Sequence, residues 1–317
     1  MMARRFLLRR LCDIAAVLIL VTFFTTSLID LMPGNPALAI YGSQLTPQFL
    51  ANFNQEFGLD QPLPVRYGNW LWHALQGNLG TSYVTHFTVA SQVGERLPVT
   101  AEIAILSLLV ALIIAIPVAM VSAVRQGKAI DRLTTGASSV AQATPPFVTA
   151  VIFVYLFAVK AKWFPSQGWV PLTQSLGGNL QHAILPVATL VLVITPIFVR
   201  ILRGDIVSVL SENFVAVARS RGLPEWYVLL RHVLRPASAS LITVAGISFG
   251  ALFGGSIIVE SFFSLPGIGL LASQAVYNKD LPVLQGVVVC VAVVFVIVNS
   301  LVDLSYGLLD PRVRTAR

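Results

Sequence analysis

Ser211-Glu-Asn-Phe-Val-Ala-Val-Ala-Arg-Ser-Arg-Gly-Leu-Pro-Glu-Trp-Tyr-Val-Leu-Leu-Arg-His-Val-Leu-Arg-Pro236 is a polar island between two long apolar runs. Ser211 is placed to cap a helix with Glu212 in its first turn, and Phe214, Val217, Ala218 and Arg221 recur at helical spacing on one face. Gly222 ends that helix. Leu223-Pro224-Glu225 begins a second one, because proline suits a first helical position and an acid is favoured at the positive end of the dipole. Arg231 and His232 fall near its other end and Pro236 closes it. The segment is too charged to enter lipid and too apolar on one side to be an ordinary solvated loop.

The flanking chain explains why such an island exists. Of the 317 residues, 56% are hydrophobic and 11% charged, against about a quarter charged in a soluble domain. Apolar runs at 11–31, 99–124, 134–159, 183–203, 238–259 and 283–303 are each near the ~20 residues a helix needs to cross ~30 Å of hydrocarbon. The expected fold is therefore all-α, one polytopic membrane domain over 1–317 with six spanning helices and both termini on one side. The first run is too long for the roughly 7–15-residue core of a signal peptide, and no good cleavage site follows it.

Residues 32–98 form a long outer loop region. Tyr67 to Leu79 within it has Trp70, Leu71, Ala74 and Leu75 at helical spacing; a helix on the outer membrane surface and a helix packed on the protein are both open. In the third run, Thr144-Pro145-Pro146 loses backbone donors and predicts a kink. Such a break either lines a cavity or serves packing. Residues 204–237 hold the polar island, and 260–282 read as a connection punctuated by Gly and Pro.

The cations set the orientation. Arg4, Arg5, Arg9, Arg10, Arg125, Lys128, Arg132, Arg200, Arg203, Arg219, Arg221, Arg231, Arg235, Arg312, Arg314 and Arg317 fall on one side, 16 of the 21 Lys and Arg. Short cytoplasmic loops carry that excess, so both termini and the island are expected in the cytoplasm. The net charge of +7 is thereby a matter of topology, and no nucleic-acid partner is called for.

Chemistry-bearing motifs are missing. Arg125-Gln-Gly-Lys128 lacks the glycine spacing of a phosphate-binding loop, and there is neither a His-Glu-x-x-His zinc motif nor a Gly-x-Ser-x-Gly nucleophile turn. His73, His86, His182 and His232 show no ligand spacing, and Cys12 and Cys290 lie inside apolar runs as small hydrophobes. No metal, cofactor or catalytic site is expected. Asp13, Glu102, Glu260 and Asp303 lie near expected helix ends, where snorkelling or capping satisfies them, and no carboxylate relay crosses the spans.

The island resembles the cytoplasmic loop of ABC importer permeases, with Ala216, Ala218, Gly222, Leu234 and Pro236 on the pattern. Phe214 to Leu223, followed by Arg231-His232, is similar to the dipeptide/oligopeptide/nickel branch. Leu31-Met-Pro-Gly-Asn-Pro36, Gly58-Leu-Asp-Gln-Pro-Leu63, Gly77-Asn-Leu-Gly80, Arg96-Leu-Pro98, Gly255 to Gly269 and Asp310-Pro-Arg312 extend the likeness over nearly the whole chain. One departure is Ala216, where the family loop begins with Glu. The resemblance implies a dipeptide-permease-like subunit in the plasma or inner membrane. Its implied partners are a second homologous permease, two ATP-binding-cassette ATPases that hold ATP and Mg, and an extracytoplasmic peptide-binding protein.

It further implies that Phe214, Val215, Ala216, Ala218, Arg219, Arg221, Gly222, Leu223, His232, Leu234, Arg235 and Pro236 couple the chain to an ATPase. An amphipathic helix seated in a groove buries apolar area while flanking Arg side chains meet acids. Candidates for the solute path are Thr144, Pro145, Pro146, Ser256, Gln274 and Asn299, polar or helix-breaking positions within or beside the spans. Peptides follow from the branch alone, so nickel or another small solute is the alternative. A stand-alone secondary carrier and an intramembrane enzyme are the readings from other classes.

Overall fold

The computed structural model describes residues 15–27, 35–42 and 45–309. Among these, regular structure is helical apart from a single bridge between Thr81 and Thr88. The helices are α1 (Ala15–Ser27), α2 (Pro36–Tyr41), α3 (Pro47–Glu56), α4 (Leu63–Leu75), α5 (Val89–Val124), α6 (Ala129–Ala143) and α7 (Pro146–Phe153, continued by a π-helical stretch Val154–Lys160). They continue with α8 (Leu176–Leu210), α9 (Asn213–Ser220), α10 (Glu225–Gly255), α11 (Ile257–Phe263), α12 (Ile268–Tyr277) and α13 (Leu281–Leu309). Local chemistry sets several starts: the side chains of Asn35, Thr46 and Ser175 accept from the backbone N–H of Ala37, Phe49 and Gly178.

Among the described residues, four helices are long and apolar enough to cross a membrane: Val89–Val124, Leu176–Leu210, Glu225–Gly255 and Leu281–Val302. Two further helix pairs, α6 with α7 and α11 with α12, are together long and apolar enough but sharply bent at a short break, as a broken span or a re-entrant loop would be, α6 and α7 meeting at 100°. The run expected over 134–159 is thus a corner rather than a kink. Thr144 and Pro145 each precede a proline and are both forced into extended backbone, with ψ of 121° and 144°, so two successive residues leave the helix.

The stretch 260–282, expected as a connection, is mostly helical. Its apolar residues form α11 and α12, and Ser264 turns the chain between them in the left-handed region at φ 54°. Residues 99–124, 183–203 and 238–259 lie largely within α5, α8 and α10, which run beyond the apolar stretches because hydrogen-bonded ladders do not stop where hydropathy falls. Residues 11–14 and 28–31 of the first expected span lie outside the described residues.

Pro236 does not close a helix. α10 runs through it to Gly255, and the turn just before it, Val228–Val233, is π-helical. A proline ring collides with the carbonyl four residues earlier, here that of His232, and widening that turn relieves the collision. α8 likewise carries Pro186 and Pro196 in its interior.

The contacts divide the chain into two compact units, one of residues 1–100 and 266–296 and the other of 101–265 and 297–317. In the first, Ala37, Phe53, Tyr83 and Leu281 form a small core. Asp280, buried at the start of α13, accepts from the Ser82 hydroxyl and from Tyr83 N at 3.1 Å, fastening the loop before α5 to α13. Gln285 Nε2 donates to Thr26 Oγ1 at 2.7 Å and Tyr67 Oη to the Ile19 carbonyl at 3.0 Å, which hold α13 and α4 to α1. Gly286 lets α13 approach the start of α5, since a Cβ there would lie 2.1 Å from Val89 Cγ1.

In the second unit Phe198, Leu202 and Ile206 bury one side of α8 completely. One polar cluster ties three elements together. Arg203 on α8 grips Asp131 with both arms, Nε to Oδ1 at 2.6 Å and a terminal nitrogen to Oδ2 at 2.7 Å. Ser122 Oγ, near the end of α5, donates to Oδ1 at 2.7 Å, and Gly127 N in the intervening turn to Oδ2 at 2.8 Å. Asp131 is buried, so every lone pair that faces the protein is used. Arg200, about one turn earlier, reaches Gln142 on α6.

Two expected outcomes follow from this packing. Gly286→Val should cost roughly 1–3 kcal/mol by overpacking, seen as a lower thermal midpoint of the purified protein and restored by adding Val89→Ala; an unchanged midpoint in the single variant would contradict the contact. Asp131→Asn or Arg203→Met alone should cost about 3–5 kcal/mol by stranding a buried partner. The double variant Asp131→Leu with Arg203→Met should unfold at a higher temperature than either, and strictly additive losses would show that the pair is not coupled.

Candidate functional site

The polar island is built as an interruption between two long rods. α8 runs on past the apolar part of the chain to Leu210, and Ser211 is its C-cap. Ser211 therefore does not begin the next helix: its hydroxyl turns back to the Val207 carbonyl at 3.3 Å, and Glu212 holds the cap position of α9 through backbone alone. The sequence pattern was ambiguous here because Ser and Glu are both good first-turn residues and only backbone geometry separates them.

α9 has two faces. Val215 and Ala218 are buried against the chain. Phe214 and Val217 are 46% and 50% exposed, and Ala216, Arg219 and Arg221 are exposed beside them. The expected face of Phe214, Val217, Ala218 and Arg221 is thus split, with Ala218 turned inward and the other three outward. Gly222 stops the helix at φ 74°, in the left-handed region where a side chain is strained, and its N–H returns to the Arg219 carbonyl at 2.9 Å.

Beyond the turn, Arg219 pairs with Glu225 at the start of α10, with contacts of 2.5 and 3.2 Å. Both side chains are about half exposed, so the pair contributes at most about 1 kcal/mol. It still closes the turn around Gly222. Val228 and Val233 point inward, whereas Trp226 and Leu230 are 64% and 51% exposed. Tyr227 packs edge-on against the rings of Trp226 and His232, 5.9 and 5.7 Å away. Leu223, His232 and Leu234 are half-buried, while Arg231, Arg235 and Pro236 are exposed. Phe214, Val217, Trp226 and Leu230 are thus exposed apolar side chains in a segment that also exposes Arg219, Arg221, Arg231 and Arg235, while Val215, Ala218, Val228 and Val233 are buried.

The candidate path residues lie on four separate helices or corners. Thr144 sits half-buried at the α6–α7 corner with its hydroxyl on the Val140 carbonyl at 2.8 Å, beside exposed Pro145 and half-buried Pro146. Ser256 is buried and donates to Glu260 Oε1 at 2.9 Å. Asn299 is half-buried, and Gln274 is exposed on α12 in the other unit. Glu260, expected near a helix end with snorkelling or a cap to satisfy it, lies in the first turn of α11, fully buried, and accepts from Ser256 at the cap position instead of snorkelling. Glu102 lies well inside α5, because that helix begins before its apolar run does. Asp13, Cys12 and the side chain of Asp303 lie outside the described residues.

Sequence reading also passed over Asp131 and Arg203 as a pair. They are 72 residues apart, and charge counting placed both at the same membrane surface without joining them. The signal available was a lone acid amid Arg125, Lys128 and Arg132. Among the described residues, no group of three or more His, Cys, Asp or Glu is placed to hold a metal ion.

Comparison with known proteins fits this arrangement. Residues 115–315 match the family described as "binding-protein-dependent transport system inner membrane component", and residues 2–104 match its N-terminal companion. A probable peptide ABC transporter permease of Sinorhizobium fredii is 36% identical over 98% of this chain and 99% of its own length. The glutathione transport system permease GsiC of Salmonella typhimurium is 33% identical over 98% of each. Among solved structures, the MetNI methionine ABC transporter in an inward-facing conformation superposes with a TM-score of 0.58 at 15% identity, covering 69% of this chain and 96% of that one, a likeness of fold. This all-helical, multi-pass chain belongs to the inner-membrane permease family of binding-protein-dependent ABC importers, whose members are transport subunits rather than enzymes.

Proposed function

We propose that this permease forms, with a second homologous permease, the path by which di- and oligopeptides enter the cell. An extracytoplasmic binding protein delivers them and two ATPases on the cytoplasmic side drive the cycle with ATP and Mg. The relatives' names supply the solute: a peptide permease in Sinorhizobium fredii and a permease for glutathione, itself a small peptide, in Salmonella. The cation distribution, 16 of 21 Lys and Arg on the side of the island, supports six crossings with 204–237 in the cytoplasm and 32–98 outside.

The observation that carries the coupling role is the two-faced α9. One face is packed on the chain, and the other offers Phe214 and Val217 to solvent beside arginines, the form of a helix that lies in a partner's groove. Its attachment is stiff at both ends. α8 leads into it from the Arg203 clamp about two turns upstream, and beyond the Gly222 turn α10 runs on as one helix. A displacement of the ATPases is thereby delivered to two spanning helices at once. Gly222, with nothing crowding it, is where the connection turns.

Phe214→Asp combined with Val217→Asp should leave expression and membrane insertion unchanged, since both side chains already face solvent, yet lower ATPase co-purification by tenfold or more. Full co-purification would contradict the docking role. Reconstituted complex should take up labelled dipeptide when its binding protein is present and ATP is inside; uptake of nickel but not of peptide would reassign the solute.

A further inference from the structure

α6 has two exposed sides of opposite chemistry. Leu133 and Val140, 71% and 69% exposed, lie on one with Ala137 between them. Thr135, Ser139 and Gln142, at i, i+4 and i+7, are exposed on the other. The stripe between, Asp131, Thr134, Ser138 and Ala141, is buried or half-buried against the chain. In a membrane the first side suits lipid. A side carrying two hydroxyls and an amide does not, and it faces water or protein instead.

Arg200 on α8 joins that polar side. α6 and α8 run side by side in opposite directions: Asp131 meets Arg203 near one end, and Ala141 and Leu192 line a common apolar groove near the other. Side chains lean toward the N-terminus of their helix, so Arg200 leans away from the clamp and Gln142 toward it. The two meet between, a terminal nitrogen of Arg200 donating to Gln142 Oε1, and both are exposed. Among the described residues Arg200 has no acidic partner, since Asp131 is taken by Arg203. It is a full positive charge about 15 Å before the end of α8, held by a neutral amide and open to solvent. Ionisable groups at such depth face cavities or partners and mark solute routes.

We infer that this side of α6 lines the solute path and that Arg200, with Gln142 beside it, receives the carboxylate of a passing solute. The inference rests on reading the chain as a peptide permease. Every unblocked peptide carries a terminal carboxylate whatever its side chains, so one guanidinium serves the whole class. Thr135 and Ser139 spend their hydroxyl protons on the carbonyls of Asp131 and Thr135, both at 2.9 Å, which leaves the outward donors of this stretch to Arg200 and Gln142. The guanidinium fork matches a carboxylate, and Gln142 positions it without cancelling its charge. In contact with water such a pair is weak, as a path that must also release its solute requires.

The test uses the assembled transporter in phosphatidylcholine nanodiscs, carrying Cys12→Ala and Cys290→Ala with Ser139→Cys as reporter. Two methanethiosulfonate reagents of similar size, one bearing a sulfonate and one a trimethylammonium, are compared by their labelling rates on this chain, each normalised to free cysteine. The sulfonate should be favoured threefold or more. Arg200→Gln should abolish that preference and Arg200→Lys should keep it, a dependence on charge that a packing role would not show. Val140→Cys, on the lipid side, should react slowly with both. Alanyl-phenylalanine should slow labelling of the reporter saturably, its C-terminal amide should not, and Arg200→Gln should raise the concentration needed tenfold or more. Arg200 is exposed and bonds only Gln142, so Arg200→Gln should keep the wild-type thermal midpoint; if it does not, the comparison of acid with amide in the Arg200 protein still decides. An unreactive reporter, equal protection by acid and amide, or protection indifferent to Arg200→Gln overturns the proposal. Arg200-dependent retention of phosphatidylglycerol in native mass spectrometry, without protection by peptide, overturns it too and assigns the guanidinium to a lipid phosphate. Dipeptide uptake by the same transporter with its binding protein decides the solute reading separately: uptake without protection rejects the carboxylate site alone.

Discussion

A carboxylate taken out of water must be answered by other groups, and the way Asp131 is answered sets the geometry of the island's base. Its two oxygens receive the Arg203 fork, the Ser122 hydroxyl and the Gly127 amide. Those donors come from three separate places: the last turns of α5, the turn after it, and α8. None can move alone without leaving a buried charge short of a partner, which costs several kcal/mol. The cluster therefore acts as a clamp, and it lies about two turns before α8 gives way to α9.

Under the proposed coupling role, that placement matters for force. A helix transmits displacement only if its end is not free to fray or swing. α8 is clamped at Arg203 and α10 continues without a break, its Pro236 accommodated by the π turn. Between them α9 and the Gly222 turn are exposed on one side and packed on the other. The arginine rim adds little stability, as the half-exposed Arg219–Glu225 pair illustrates, but it biases what can approach: an acidic surface is favoured and a basic one repelled.

Hydropathy made the spans legible, because a run of about 20 apolar residues has few alternatives in lipid. It could not show the two corners. At Thr144-Pro145-Pro146 a break was readable from the prolines, but a 100° turn requires two consecutive residues in extended backbone, which becomes evident only when each is treated as the residue before a proline. At Ser264 the left-handed turn sits on a serine, a residue with no strong preference for it, so the region around Gly267 read as loop. Pro236 misled in the opposite direction, since a proline predicts an end and a wider turn upstream can cancel it. The face of α9 was divided wrongly because small and large apolar residues were counted alike: Ala218 fits a tight interface, whereas Phe214 and Val217 stay out. Contacts between distant residues, Asp131 with Arg203 and Gly286 with Val89, carry no local pattern. The family resemblance lay in ordered short motifs across the chain and so survived all of these local errors.

The central claim is that the solvent-facing side of α9 meets an ATPase. Cysteine cross-linking in the assembled transporter tests it most directly, with Val217→Cys as the probe and short bifunctional reagents. The account predicts a product between this chain and an ATPase subunit, with a yield that changes when nucleotide is added, and no such product from a cysteine in place of Tyr277 on α12. Labelling of Val217→Cys by an impermeant thiol reagent applied from outside intact cells, with no ATPase cross-link, would contradict it.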